Sequence, residues 1–370
     1  MKSNNHGYEK VVYLLQGGGA LGSFQAGVCE GLFQFGLEPD WVVGTSIGGI
    51  NAAIIAGNPP ERRLAKLKGF WDLVSSPVPF FPGLPNVSDV SQEMINSYCA
   101  FFISVFGVPA FFKPRLFYSW LFSKTTPDQV SYYDTSALRK TLLDVIDFDL
   151  INEKKIRLSI GAVNVKTGHP ILFDNTRQII GPEHVMASAA LPPGFPAVKI
   201  DDEYYWDGGV ISNTPFGVVL EERIPQKLLC FIVNLYTYSQ QIPTSIMDIL
   251  KAKKELAYSS RHEEVLHAFC ELHFLQHAVE MLAKKAEQND DLERVLRVIK
   301  NVGHPTALSI VQFHYKDRPS NLWSKDYNFS YQAIDEHWQA GCENVKEALA
   351  KPDWLNLSVD DNFGVEIHNF

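Results

Sequence analysis

The sequence predicts one large α/β domain with an elaborated cap. Three observations predict it: 370 residues of which 46% are hydrophobic, a strand, glycine turn and helix that occur twice near the N-terminus, and an aromatic-rich stretch from Pro77 onward. A chain of this length buries a sizeable core, and a charged fraction of 20% is ordinary for a globular protein.

The first strand, Lys10 to Gln16, is a β-rich apolar run that stops at Gly17, Gly18 and Gly19. After Ala20-Leu21-Gly22, the residues Phe24, Val28, Leu32 and Phe35 recur at helical spacing. The loop between them reads G-x-G-x-x-G through Gly17, Gly19 and Gly22. Two functions compete for it, beside a plain tight turn. A dinucleotide fingerprint would lay a pyrophosphate against the helix N-terminus. An oxyanion hole would turn the loop's N–H groups toward a carbonyl under attack.

The second strand, Trp41-Val42-Val43, runs into Gly44-Thr45-Ser46-Ile47-Gly48 and then a small-residue helix from Gly49 to Ala56. Ser46 therefore falls on a strand-to-helix corner in a G-x-S-x-G, the context of a nucleophile elbow. Gly44 and Gly48 relieve crowding where the backbone turns sharply. Helix N-terminal amides beyond Ser46 favour developing negative charge. A ribose-binding acid should close this second strand, but Asp40 precedes it and Gly44-Thr45-Ser46 stands in its place, which favours the oxyanion reading.

Helix Glu61 to Val74 follows Pro60. From Pro77 to Phe122 aromatics crowd together, among them Phe80, Phe81, Phe101, Phe102, Phe111, Phe112, Phe117 and Trp120, and Met94 to Phe112 carries no charge. Asn96, Ser97, Gly107 and Pro109 are expected to break this run, which argues against a spanning helix. It reads either as core or cap packing, or as a lid that lines an acyl-chain pocket or touches a lipid surface. An N-capped helix is expected at Asp134 to Leu143, strands at Ile156 to Val163 and Pro170 to Phe173, and a small-residue helix at Pro182 to Ala190.

A hairpin of Val198 to Ile200 and Tyr204 to Trp206 then delivers Asp207-Gly208-Gly209 at its end. By itself an Asp-Gly pair is usually a turn; its interest lies in the company of Ser46 and the Gly17 loop. The rest reads as a short helix from Pro215 to Arg223, a strand from Lys227 to Tyr236, helix from Ile246 to about Ile299 with a break near Asn289-Asp290, a strand from Thr306 to Tyr315, and a helix capped by Ser330 through about Leu349. His262 and His267 miss the H-E-x-x-H spacing because the position four after His262 is Leu266. His273 and His277, four apart, read better as a packed or solvated helix face than as metal ligands. No metal and no cofactor is expected.

A net charge of −9 without a dense basic run argues against nucleic acid as a partner, and no polybasic membrane anchor is present. Five scattered cysteines fit reduced thiols. The polar start, with no apolar segment before the first strand, predicts no signal peptide, hence a cytoplasmic protein or one peripheral to a membrane; a specialised secretion route leaves no readable trace.

The blocks Gly17-Gly18-Gly19-Ala20-Leu21-Gly22, Gly44-Thr45-Ser46-Ile47-Gly48, Ala187-Ser188-Ala189-Ala190-Leu191-Pro192 and Asp207-Gly208-Gly209, in that order, resemble the patatin-like phospholipases over about the first 220 residues. Lys325 to Ser330 and the helix after it look like the C-terminal extension of a bacterial branch. The resemblance implies a three-layer α/β/α fold with a mostly parallel sheet. It implies a catalytic core at 1–220 with a cap insertion at about 77–130, and at 221–370 the remaining sheet plus a helical extension. It further implies a Ser46/Asp207 dyad, a Gly17 to Gly19 oxyanion hole, and hydrolysis of phospholipid or other acyl-lipid esters. The pattern departs at Leu21, where many relatives carry Arg or Lys. Three rivals remain: a Ser-Asp-His esterase using His304 or His314, a dinucleotide-binding oxidoreductase using Gly17 to Gly22, and a catalytically idle lipid-binding or interaction protein, which intact Ser46 and Asp207 disfavour.

Overall fold

The computed structural model describes residues 7–76, 89–115, 125–214, 216–220, 227–238, 242–286, 306–317, 323–355 and 365–370. The strands are β1 (Lys10–Leu15), β2 (Trp41–Thr45), β3 (Lys113–Pro114), β4 (Tyr133–Asp134), β5 (Arg157–Asn164), β6 (Pro170–Asp174), β7 (Val198–Ile200), β8 (Glu203–Asp207), β9 (Lys227–Asn234), β10 (Ala307–His314) and β11 (Val365–Asn369). The helices are α1 (Gly22–Gln34), α2 (Ile47–Ala56), α3 (Pro60–Val74), α4 (Asp89–Phe106), α5 (Ser136–Val145), α6 (Phe148–Asn152), α7 (Pro182–Ser188), α8 (Gly217–Leu220), α9 (Ile246–Ala286) and α10 (Tyr331–Leu349).

Nine strands form one sheet in the order β11-β10-β9-β1-β2-β5-β8-β7, with β6 also paired to β5. Every pairing from β11 to β5 is parallel, while β6 and β8 run antiparallel to β5, and β7 antiparallel to β8. The central strands are apolar on both faces because both are covered. Val11, Tyr13 and Leu15 of β1 enter the larger core, which also takes in α1, α2 and α3. Val12 and Leu14 point the other way, against Phe216, Val219, Leu266 and Phe269 from around α8 and along α9. The result is the expected three-layer α/β/α arrangement. Each large side chain fully buried this way, such as Phe231 or Ile232, contributes roughly 1.5–3 kcal/mol.

Two local expectations are corrected. Asn96 and Ser97 do not break α4, which runs unbroken to Phe106 and stops before Gly107; Asn and Ser are only mildly unfavourable inside a helix. β11 was not anticipated, although Val365 and Ile367 alternate with polar neighbours as an edge strand does. Ser330 caps α10 as expected, its hydroxyl accepting from the Ala333 N–H. No helix among the described residues is long and apolar enough to cross a membrane. Phe80, Phe81, Phe117, Tyr118, Trp120, Phe122, the Asn289-Asp290 break and His304 lie outside the described residues.

Candidate active site

The register of β5 brings the predicted residues together. β6 pairs with Ala162 and Val163 on one edge of β5, so β8, which pairs with the same residues, takes the other edge, the one β2 already occupies. There Thr45 faces Gly161 and Asp207 faces Ala162. The C-terminal ends of β2 and β8 thus meet head to head, and the residues that leave them, Ser46 and Asp207-Gly208-Gly209, share one corner of the sheet.

Ser46 has φ 57° and ψ −128°, a positive φ at a residue with a side chain, as a strained elbow requires. Surrounding contacts hold it there. Its N–H donates to Ser188 Oγ at 2.9 Å, and that hydroxyl donates to the Gly161 carbonyl at 2.6 Å. Gly49 lets Ser188 come this close: a Cβ there would lie 3.0 Å from the Ser188 hydroxyl. A Cβ at Gly48 would lie 2.2 Å from the Leu15 carbonyl oxygen, so the elbow helix packs against the end of β1 only as glycine.

Asp207 is 1% exposed. Its Oδ1 accepts the Gly209 N–H at 2.7 Å, while Oδ2 has no well-aligned hydrogen bond among the described residues. Burial pushes its pKa up to about 7, against smaller opposite effects of the Ser46 hydroxyl and the Gly209 N–H. A carboxyl group that titrates near neutrality and is influenced by a strained serine can take a proton from that serine.

The Gly17 to Gly19 loop leaves β1, the neighbour of β2, and lines the same cavity as Ser46 and Asp207. Its donors are not equivalent. The Gly17 N–H donates to the Asn213 carbonyl at 3.2 Å and the Asn213 side-chain amide donates back to the Gly17 carbonyl at 2.8 Å. The N–H groups of Gly18 and Gly19 donate to none of the described residues. Gly22 stands at the start of α1, and Gly44 and Gly208 close the backbone around the corner.

The cavity has a volume of about 540 Å³. One wall is apolar, from Ala100, Phe101 and Ile103 of α4 together with Phe111, Phe112, Phe195 and Phe329. A second, polar wall carries Tyr236, Lys254, Tyr258, Asp326 and Tyr327. Leu21 is fully buried, so the lysine of this wall comes from α9 instead of the glycine loop. A second cavity of about 530 Å³ lies between α1, α3 and α10, lined by Glu30, Lys68 and Trp338, and contains none of the predicted site residues.

Asp40, the acid a dinucleotide site needs, lies at the opposite end of the strands: its carboxylate accepts the Val11 N–H and its carbonyl accepts the Arg157 N–H. That removes the support for an oxidoreductase. His314 ends β10 and is not among the residues lining the cavity. His273 and His277 stack ring on ring, and no cluster of three metal-binding side chains occurs among the described residues. Ser188 stands in one of the blocks that carry the resemblance and Asn213 follows the aspartate, but the sequence assigns neither a role; their contacts with Ser46 and Gly17 do.

A family model described as patatin-like phospholipase matches residues 13–220, and a second, described as patatin phospholipase, matches residues 256–361. None of the curated proteins matches the chain. Among solved structures, VipD from Legionella pneumophila is similar at 13% identity with a TM-score of 0.39, over 96% of this chain and 73% of that one.

Proposed function

We propose, from the premise that this chain belongs to the patatin-like phospholipase family, that it hydrolyses lipid acyl esters with Ser46 as nucleophile and Asp207 as general base. The observation that carries this reading is the meeting of β2 and β8 on one edge of β5, next to the glycine loop. Asp207 accepts the Ser46 proton as Oγ attacks the acyl carbonyl carbon. The carbonyl oxygen becomes an oxyanion held by the Gly18 and Gly19 N–H groups, with Gly17 shaping the loop. Collapse breaks the ester C–O bond, and the leaving alcohol takes the proton from Asp207. Water then gives a proton to Asp207 as it attacks the acyl-enzyme, and Ser46 leaves with that proton. A buried carboxylate serves here because it is poorly hydrated and closer in basicity to its task.

The test is covalent labelling. A fluorophosphonate probe is expected to add one phosphonyl group per chain, on the peptide that carries Ser46, and to abolish ester hydrolysis in step. Hydrolysis that survives complete labelling at Ser46 would sink the reading.

The apolar wall suits an acyl chain. Each methylene transferred from water into it contributes about 0.8 kcal/mol, close to fourfold in affinity. Rates on p-nitrophenyl esters are therefore expected to rise steeply from acetate to octanoate. A preference for acetate counts against the pocket.

α4 also presents Met94, Tyr98, Phe101 and Val105 to solvent at helical spacing, while Cys99, Ala100 and Ile103 are buried. Met94 is 70% and Phe101 67% exposed. An apolar stripe beside the mouth of a lipid pocket fits peripheral contact with a lipid surface, within the 77–122 segment. The double variant Met94→Asp/Val105→Asp is expected to lose at least tenfold in hydrolysis of vesicular phosphatidylcholine, with turnover of a soluble ester within twofold of wild type. Equal losses on both substrates would deny α4 that role.

A further inference from the structure

We infer that a crossed pair of ion pairs between α9 and the turn at Lys325–Tyr327 holds the oxyanion loop in register, with Lys254 and Asp326 as positioning residues. The inference rests on the hydrolase reading above.

Lys254 and Glu255 are neighbours on α9, and they face Asp326 and Lys325, neighbours on the turn, in the opposite order. Lys254 Nζ pairs with both carboxylate oxygens of Asp326, and Lys325 Nζ with Glu255 at 2.9 Å. The side chains of Lys325 and Glu255 are 5% and 2% exposed. A slip of one residue would set like charges against each other in a poorly hydrated place, so the crossed order fixes one register. Buried ion pairs rarely add stability over apolar packing, and pinning a register is their better-attested use.

What the register positions is Gly19. The carbonyl oxygen of Asp326 lies against it so closely that a Cβ there would come within 2.3 Å, and Gly19 holds φ +54°. The Asp326 carboxylate also accepts the Tyr236 hydroxyl at 3.3 Å. The N–H groups of Leu235 and Tyr236 in turn donate to Gln16 Oε1, on the residue before the loop, at 2.6 and 3.3 Å. The loop that carries the oxyanion donors is thus braced by the ion-paired turn at one end and by the end of β9 at the other.

Lys254 lines the cavity, so it could instead grip an anionic head group. An ammonium has three donors. Here they meet the two oxygens of Asp326 and the Trp323 carbonyl at 3.3 Å, with the Tyr327 ring 4.6 Å away. The ammonium is a tie between protein groups.

The experiment compares full-length wild type with Lys254→Met and Lys254→Arg in hydrolysis of p-nitrophenyl octanoate and of an anionic phospholipid, phosphatidylglycerol. It adds inhibition by an octyl trifluoromethyl ketone, to which Ser46 Oγ adds while its proton passes to Asp207 and the ketone oxygen becomes an oxyanion, and by octanol, which fills the pocket without one. Lys254→Met is expected to lower kcat tenfold or more and weaken the ketone by a similar factor, with KM and octanol inhibition within twofold. Lys254→Arg is expected to recover most of both. If Lys254→Met does not accumulate folded, Asp326→Asn, which keeps the shape and removes the charge, gives the same readout. A lowered melting temperature with unchanged kcat and ketone affinity overturns the inference, as does a raised KM for phospholipid at unchanged kcat, which would make Lys254 a substrate contact. Failure of the hydrolase reading itself shows separately, as wild type that neither hydrolyses the ester nor binds the ketone.

Discussion

Ser46→Ala is expected to lower kcat/KM for a long-chain ester by about 10,000-fold or more, the scale on which removing a covalent nucleophile acts. The fold should not suffer. The contacts that hold the elbow go through the backbone of residue 46, its N–H to Ser188 and its carbonyl to the Ile50 N–H, and alanine keeps both. The melting temperature is therefore expected to stay within a degree or two of wild type, and binding of octanol to be retained. Steady-state kinetics with a thermal melt on the same preparation check this. Retention of more than a hundredth of the activity would place the nucleophile elsewhere.

Asp207→Asn is expected to remove activity to a comparable degree and, unusually, to make the protein more stable. The buried carboxyl titrates near 7 in the folded chain against an ordinary value of 3.8. Between those two values the folded protein binds the proton that the unfolded chain has released, so this group's contribution falls as pH rises from about 4 to 7 and stays unfavourable above. The amide ends that cost and still accepts the Gly209 N–H. Its gain should be near zero at pH 4 and reach the order of 1–3 kcal/mol at pH 8, after relaxation of the site is allowed for. If Asp207 is the proposed base, the same titration governs the rate in wild type: kcat/KM is expected to rise about tenfold per pH unit below 7 and level off above it. A variant less stable than wild type at pH 8 would show that the charged carboxylate holds the fold together.

The elbow, the glycine loop and the aspartate were legible because each announces itself locally: an apolar strand, then glycines, then a helix or turn. The order of sheet strands was less so. That β8 runs antiparallel to β5 and meets β2 end to end depends on a hairpin at 198–207 folding back across the sheet, and no local pattern encodes that direction. At α4 the sequence misleads only at Asn96 and Ser97: burial of Cys99, Ala100 and Ile103 carries the helix through them, and it ends before Gly107 as expected. Asn213 and Ser188 act through partners far away in sequence, Gly17 and Ser46, and no spacing rule reaches them. The same distance hides the match of Lys254-Glu255 with Lys325-Asp326, although the charges are plain in both segments.

β1 sits in the middle of the sheet, and its partner on one side is β9, with Lys10 opposite Leu228. During synthesis the first strand therefore waits with an open flank of hydrogen-bonding groups until Val233, the partner of Leu15, has left the ribosome. Such a strand is a template for pairing with other chains, and contacts this remote in sequence form slowly. Nascent chains that stop near residue 220 carry the elbow, the loop and the aspartate, yet they have no way to close that flank, and they are natural clients for chaperones.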